Sequence, residues 1–169
     1  MDEVRKIVRT EPAGATAPGM ALSGDVLVHG SARAETLLLE KPLSFWGGYD
    51  AGPGRIIDRT HPQQGATLAG KIMVMAHAKG SSSSSSVLAE AIRNGTGPVG
   101  IILRERDLII SIGAIVAAEL YALAVPVVCL SAADFERVAA ARGAVRIEAA
   151  EGREGAGGAM VYLEETAPR

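Results

Sequence analysis

Between Gly70 and Leu130, short apolar runs alternate with stretches of helical character, and this alternation limits the fold more than any other feature of the chain. Gly70 to Met75 is the first run and predicts a buried strand. Val99 to Leu103 predicts a second, Asp107 to Ile110 a short third and Val125 to Leu130 a fourth. Between the first two, Val87, Leu88, Ala91 and Ile92 mark one helical face, and Gly95 supplies a stop. Gly113 to Leu123 predicts another helix, so the expected order is β-α-β-β-α-β. Downstream, Ser131 to Asp134 caps a helix running through Ala141. Ala144–Ala149 and Ala159–Leu163 are then closing strands, joined by a Gly-rich turn around Gly155 to Gly158. Upstream, Asp25 to Gly30, Ala34 to Leu39 and Arg55 to Asp58 have strand character. The expectation is an α/β fold, a single three-layered β/β/α domain without internal repeats.

Composition supports one ordinary domain: 169 residues, 48% hydrophobic, formal net charge -2. Residues 1–21 hold the Pro/Gly-rich stretch Glu11 to Gly19 and are expected to form a flexible arm, with the ordered domain over 22–169. Lysine and arginine (17) nearly balance aspartate and glutamate (19), which gives no broad electrostatic reason to expect nucleic acid or an anionic membrane as partner. The amino terminus lacks an apolar signal core, and the longest apolar stretch, Ile109 to Val128, is interrupted by Ser111, Gly113, Glu119 and Pro126. A cytoplasmic location is expected. The single cysteine, Cys129, lies in an apolar run, so neither a disulfide framework nor a cysteine-based cluster can be built from this chain alone. His29, His61 and His77 are far apart with no glutamate at ligand spacing, and no metal site is expected here.

Six consecutive serines, Ser81 to Ser86, would suggest a linker if polar sequence flanked them. Instead they connect a core strand to a helix. A strand that ends in Ala78-Lys79-Gly80 and opens through small polar residues into a helix aims backbone N–H groups and the positive helix end at one spot, suited to a carboxylate or phosphate. Gly80 permits close approach, Lys79 adds a point charge, and hydroxyls at the helix mouth can cap it or bond a ligand. A serine there can also take part in proton transfer, because helix N–H groups and an ammonium stabilise a developing alkoxide. No Walker A pattern is present.

Lys41-Pro42-Leu43-Ser44-Phe45-Trp46-Gly47-Gly48, Ile57-Asp58 with His61-Pro62, Lys79-Gly80-Ser81, and Gly113-Ala114 before Pro126-Val127-Val128 follow one another in an order that resembles the small subunit, or swivel domain, of aconitase X. The similarity runs from about Ala32 to Leu130. It implies a swivelling β/β/α domain like the mobile domain of aconitase, closing over a large subunit that carries iron or an iron–sulfur cluster. It also implies a heterodimeric hydro-lyase that is active only when assembled. Ser81 would be the proton acceptor. Lys79, Gly80, Ser82, Ser44, Asp58 and His61 would bind a small anionic hydroxy acid. Family members act on cis-3-hydroxy-L-proline, giving 1-pyrroline-2-carboxylate, or on phosphomevalonate. Archaeal members have Lys-Gly-Ser-Thr-Val-Gly-Ser where this chain has an unbroken serine run, which speaks against phosphomevalonate, and the alanine-rich composition leans toward hydroxyproline.

On the residues alone, other roles stay open: His61 as a turn-capping histidine, Asp58 as an ion-pair partner, Phe45 and Trp46 as core anchors. A non-catalytic swivelling carrier is the other function class. A carrier needs a reactive histidine opening a helix, and none of the three does.

Overall fold

Each central strand is apolar on both faces, and the structure uses both. A computed structural model describes residues 19–150 and 158–164; most of the expected arm, and most of the Gly-rich turn around Gly155 to Gly158, lie outside the described residues. In chain order the elements are β1 (Ala21–Val28), β2 (Gly30–Leu39), a tight helical turn α1 (Phe45–Gly48), β3 (Tyr49–Asp50), β4 (Arg55–Ile56), β5 (Ile72–Met75), α2 (Ser84–Arg93), β6 (Gly100–Leu103), α3 (Leu108–Tyr121), β7 (Val127–Cys129), α4 (Ala132–Ala140), β8 (Ala144–Ala149) and β9 (Ala159–Leu163). Seven strands close into a barrel in the order β1-β7-β6-β5-β2-β8-β9, with β9 returning to β1; β3 and β4 form a separate ribbon. The stretch β2-β5-β6-β7 is parallel, and every other barrel pairing is antiparallel.

Alternation along the strands makes two cores. Ile72, Val74, Ile102 and Val128 point into the barrel, where they meet Val145, Ile147 and Val161 of the closing strands and Phe135 and Val138 of α4. Met73, Met75, Ile101, Leu103 and Val127 point outward, against Leu88, Ala91 and Ile92 of α2 and Ile110, Ala114 and Ala117 of α3. Strands, strands and helices thus stack as the expected three layers, and a strand buried on both faces needs no polar side. Helices α2 and α3 pack tightly because Gly113 has no side chain: a Cβ there would lie 2.9 Å from the Ser85 carbonyl oxygen and 3.0 Å from the Leu88 side chain.

Several expected boundaries shift. β1 covers Ala21–Val28 instead of Asp25 to Gly30, and β2 starts at Gly30 instead of Ala34, so His29 alone separates the two strands. Asp107 to Ile110 does not form a strand. Asp107 is the N-cap of α3; its carboxylate accepts from the Ile110 amide at 2.8 Å, and the chain turns helical immediately afterwards. The order is therefore β-α-β-α-β, since a four-residue apolar run carries no period by which to tell strand from helix. The serine loop is shorter than expected because Ser84, Ser85 and Ser86 already belong to α2. The ribbon strand stops at Ile56, beyond which the Ile57 and Asp58 amides both donate to the Gly48 carbonyl.

Candidate active site

The parallel strands of the barrel end on one edge, the usual place for a site in α/β sheets. At this edge β5 runs through Ala76-His77-Ala78-Lys79-Gly80 into the serine loop and then into α2. The loop that contains α1 folds over it, anchored by Phe45 and Tyr49, whose buried rings lie 5.5 Å apart. The Leu43 amide also donates to Met75 Sδ at the end of β5, at 3.3 Å.

Gly80 is where the two loops touch. Its φ is +101°, and a Cβ would lie 2.1 Å from Ser44 Oγ and 2.8 Å from Ser44 Cβ. A glycine is required on both counts. Ser44 Oγ donates to the Trp46 carbonyl (2.9 Å) and stands 3.4 Å from Ser84 Oγ, which accepts from the Trp46 amide at 3.1 Å. Ser84 is only 2% exposed. A half-buried hydroxyl, Ser44, and a buried one, Ser84, therefore clamp the α1 turn onto the start of α2.

The six serines divide by task. Ser84 holds the clamp, while Ser85 and Ser86 donate back to the carbonyls of Ser82 and Ser83. Ser83 occupies the N-cap without a capping side-chain bond, because the Ser84 and Ser85 amides already donate to the carbonyls of Ser81 and Ser82. Ser81, Ser82 and Ser83 are exposed, and among the described residues their hydroxyls have no hydrogen-bond partner. Three free hydroxyls thus sit at the amino end of a ten-residue helix, directly after Lys79-Gly80.

Lys79 Nζ lies 3.8 Å from Asp58 Oδ2. Asp58 is held in turn by Thr60, whose amide (2.9 Å) and hydroxyl (2.7 Å) both donate to Oδ1. These two donors, with a smaller contribution from the Lys79 charge, hold its carboxyl below the usual carboxylate range. A side chain on Gly48 would meet Leu43 Cδ1 at 3.1 Å and Asp58 Cβ at 3.8 Å. Lys79, Asp58, the α1 turn, Ser44 and Gly80 thus form one continuous chain of contacts. His61 sits behind it, buried, with Nε2 2.9 Å from the Lys41 carbonyl oxygen and Nδ1 accepting from the Gln63 amide at 3.1 Å. Backbone groups occupy both ring nitrogens, so its position braces the loop that carries Asp58.

Sequence reasoning did not single out Ser84 or Thr60. Nothing in a run of identical residues marks the buried one, although the Asp58-x-Thr60 spacing is the familiar pattern of an aspartate bonding two residues ahead. Phe45 is a core anchor as expected, whereas Trp46 is 61% exposed beside the site. His77 lies on the same edge, its Nδ1 3.9 Å from Glu105 Oε1. Cys129 is partly buried, and burial raises its thiol pKa, consistent with an unreactive role. Among the described residues no group of three His, Cys, Asp or Glu side chains could hold a metal ion, and no helix is long and apolar enough to cross a membrane.

Comparison with known proteins points to one family. Residues 21–154 match the aconitase X swivel domain. The cis-3-hydroxy-L-proline dehydratase of Pseudomonas aeruginosa is 46% identical over 104 residues, which cover 62% of this chain and 18% of that enzyme. The phosphomevalonate dehydratase small subunit of Pyrococcus furiosus is 37% identical over 128 residues, covering 76% of this chain and 96% of that one. The holo-form crystal structure of Thermococcus kodakaraensis aconitase X superposes with a TM-score of 0.67 at 29% identity, over 86% of this chain and 100% of that chain. The chain therefore spans less than a fifth of the Pseudomonas dehydratase and nearly all of the Pyrococcus small subunit.

Proposed function

The chain belongs to the aconitase X swivel-domain family, and from that premise we propose that it is the small subunit of a two-chain hydro-lyase that dehydrates cis-3-hydroxy-L-proline to 1-pyrroline-2-carboxylate. The observation that carries this reading is the row of unpartnered hydroxyls from Ser81 to Ser83, presented next to Lys79 on a rigid backing. Ser84 and Ser44 fix that backing from behind. The higher identity to a hydroxyproline dehydratase than to a phosphomevalonate dehydratase favours the amino-acid substrate.

In this reading Lys79 holds the substrate carboxylate as a point charge, steered by Asp58. Ser82 and Ser44 supply further hydrogen bonds, and Gly80 keeps the approach open. Ser81, as an alkoxide stabilised by the helix end and the Lys79 ammonium, accepts the proton from the carbon that bears the carboxylate. The electron pair left behind forms the double bond as the neighbouring hydroxyl departs with its bonding pair, taking the proton back from Ser81 to leave as water and restore the alkoxide, and the resulting enamine tautomerises to the cyclic imine. His61 acts from behind the site by keeping Asp58 in place. Iron or an iron–sulfur cluster is assigned to the larger chain; the described residues here do not form a cradle for it, so the steps given to this chain use only its own groups.

The test is to co-express the chain with the large aconitase X chain of the same organism, purify the complex anaerobically with iron, and assay cis-3-hydroxy-L-proline beside mevalonate 5-phosphate. Turnover of the first is expected. Turnover of the second alone moves the chain to the isoprenoid branch, and turnover of neither by an intact complex sinks the dehydratase reading. Ser81→Ala should lower kcat by about 100-fold or more with an unchanged thermal melt; near-normal kcat would remove Ser81 from proton transfer.

A further inference from the structure

Helix α3 is built inside out. Apart from Ile110 it buries small residues, Ser111, Gly113, Ala114 and Ala117, and presents large apolar ones to the outside. Leu108 is 80% exposed, Ile112 48% and Ile115 44%, at positions i, i+4 and i+7, which form a single stripe. From Leu108 to Ala124 the only charged residue is Glu119. A helix that is apolar all round is ordinarily covered on every side.

Helix register brings this stripe to the candidate site. Gly113 packs against the Ser85 carbonyl, and eight residues later in both helices the Arg93 guanidinium lies 5.7 Å above the Tyr121 ring. Helices α2 and α3 are therefore parallel, with a constant offset of 28 residues. Ile112 stands level with Ser84, and Leu108 lies a turn further out, level with the exposed Ser81–Ser83 loop. At the same helix mouth Trp46 is also exposed, although its amide is fixed to Ser84. The polar site is thus rimmed by bare apolar side chains.

We propose that the outer face of α3 from Leu108 to Ile115, together with Trp46, is the surface on which the larger chain of the dehydratase docks. Continuity between the rim and the site mouth identifies that occupant: whatever covers the rim also completes the site. In the Pseudomonas relative the matched region is 18% of one chain, which leaves ample protein for such a surface, and the Pyrococcus relative is itself a small subunit. Because the stripe is almost uncharged, the matching face is apolar. This inference rests on the two-chain reading above, and the experiment separates the two.

Wild type, Leu108→Asp and Ile112→Glu are titrated against the purified large chain by calorimetry, with Val99→Asp as control; Val99 is also exposed but precedes β6 at the opposite edge of the sheet. Leu108 is the first residue of α3, where an acidic side chain suits the helix end, so the variant should fold, and a circular dichroism melt checks this. Each rim variant should weaken binding by about ten-fold or more, with Val99→Asp unchanged. Wild-type affinity in both rim variants overturns the surface while leaving the two-chain reading intact. Self-association of wild type that Leu108→Asp dissolves, with no binding of the large chain, would mean that a second copy covers the rim and overturns the inference. If wild type neither binds nor self-associates, both readings fall.

Discussion

Replacing Gly80 with alanine tests the geometry of the site in one step. A residue other than glycine at φ +101° costs about 1–3 kcal/mol of backbone strain. The added methyl would also lie 2.1 Å from Ser44 Oγ. Ser44 cannot simply turn away, because its hydroxyl donates to the Trp46 carbonyl and packs against Ser84, so crowding adds about 1–3 kcal/mol. Together Gly80→Ala should lose about 2–6 kcal/mol, a large share of the stability of a small domain. Urea unfolding followed by tryptophan fluorescence suits the measurement, since Trp46 is the only tryptophan and lies beside the clamp. The two causes separate in a double-mutant cycle with Ser44→Gly, which deletes the clashing atoms but not the backbone strain. A coupling of about 1–3 kcal/mol is expected. A loss below about 1 kcal/mol in Gly80→Ala, or no recovery in the double variant, would refute the argument that Gly80 and Ser44 define one shared contact.

Thr60→Val removes the hydroxyl that donates to Asp58, so the Asp58 pKa, read from its carboxyl carbon by NMR titration, should rise toward the ordinary value. Because the folded pKa of wild-type Asp58 is depressed, its contribution to stability is complete above the ordinary carboxylate range and is lost as pH falls through the folded value. The stability difference between wild type and Thr60→Val should therefore narrow on acidification; a difference independent of pH would remove the assigned cause. Asp107→Ala deletes the N-cap of α3 and should cost about 0.5–2 kcal/mol in thermal or urea unfolding, most of it restored in Asp107→Asn. An unchanged melt in the alanine variant would mean that α3 is held by packing alone.

What could be read from the sequence was whatever leaves a local trace. Strands β5 and β6, buried on both faces, show as continuous apolar runs, and α2 and α4 show their single apolar faces and caps. Strands β8 and β9 fall where alternation places them, at Ala144–Ala149 and Ala159–Leu163. Closure into a barrel has no such trace: β1 pairs with β7 and β9, from the far end of the chain, and no pattern within β1 names those partners. The start of α3 leaves little trace, because Asp107 to Ile110 is too short to show a period and the N-cap acts through a single side-chain bond. At the site, Lys79-Gly80-Ser81 was legible as a strand-to-helix junction. The burial of Ser84 depends instead on Trp46, 38 residues earlier in the chain, folding back over it, and the bracing of His61 depends on the Lys41 carbonyl in the same way.

The seam between β1 and β9 bears on how such a domain can be deployed. Ala21 lies opposite Tyr162, and Leu22 opposite Val161, so the chain enters and leaves the barrel on neighbouring antiparallel strands, about one strand spacing apart. A domain whose entrance and exit coincide can be spliced into a longer polypeptide, attached by either end, or left as a separate chain, without any barrel strand changing partners. The architecture is indifferent to whether its tether is covalent, and relatives with this domain accordingly range from a stand-alone small subunit to a segment filling less than a fifth of a much longer enzyme.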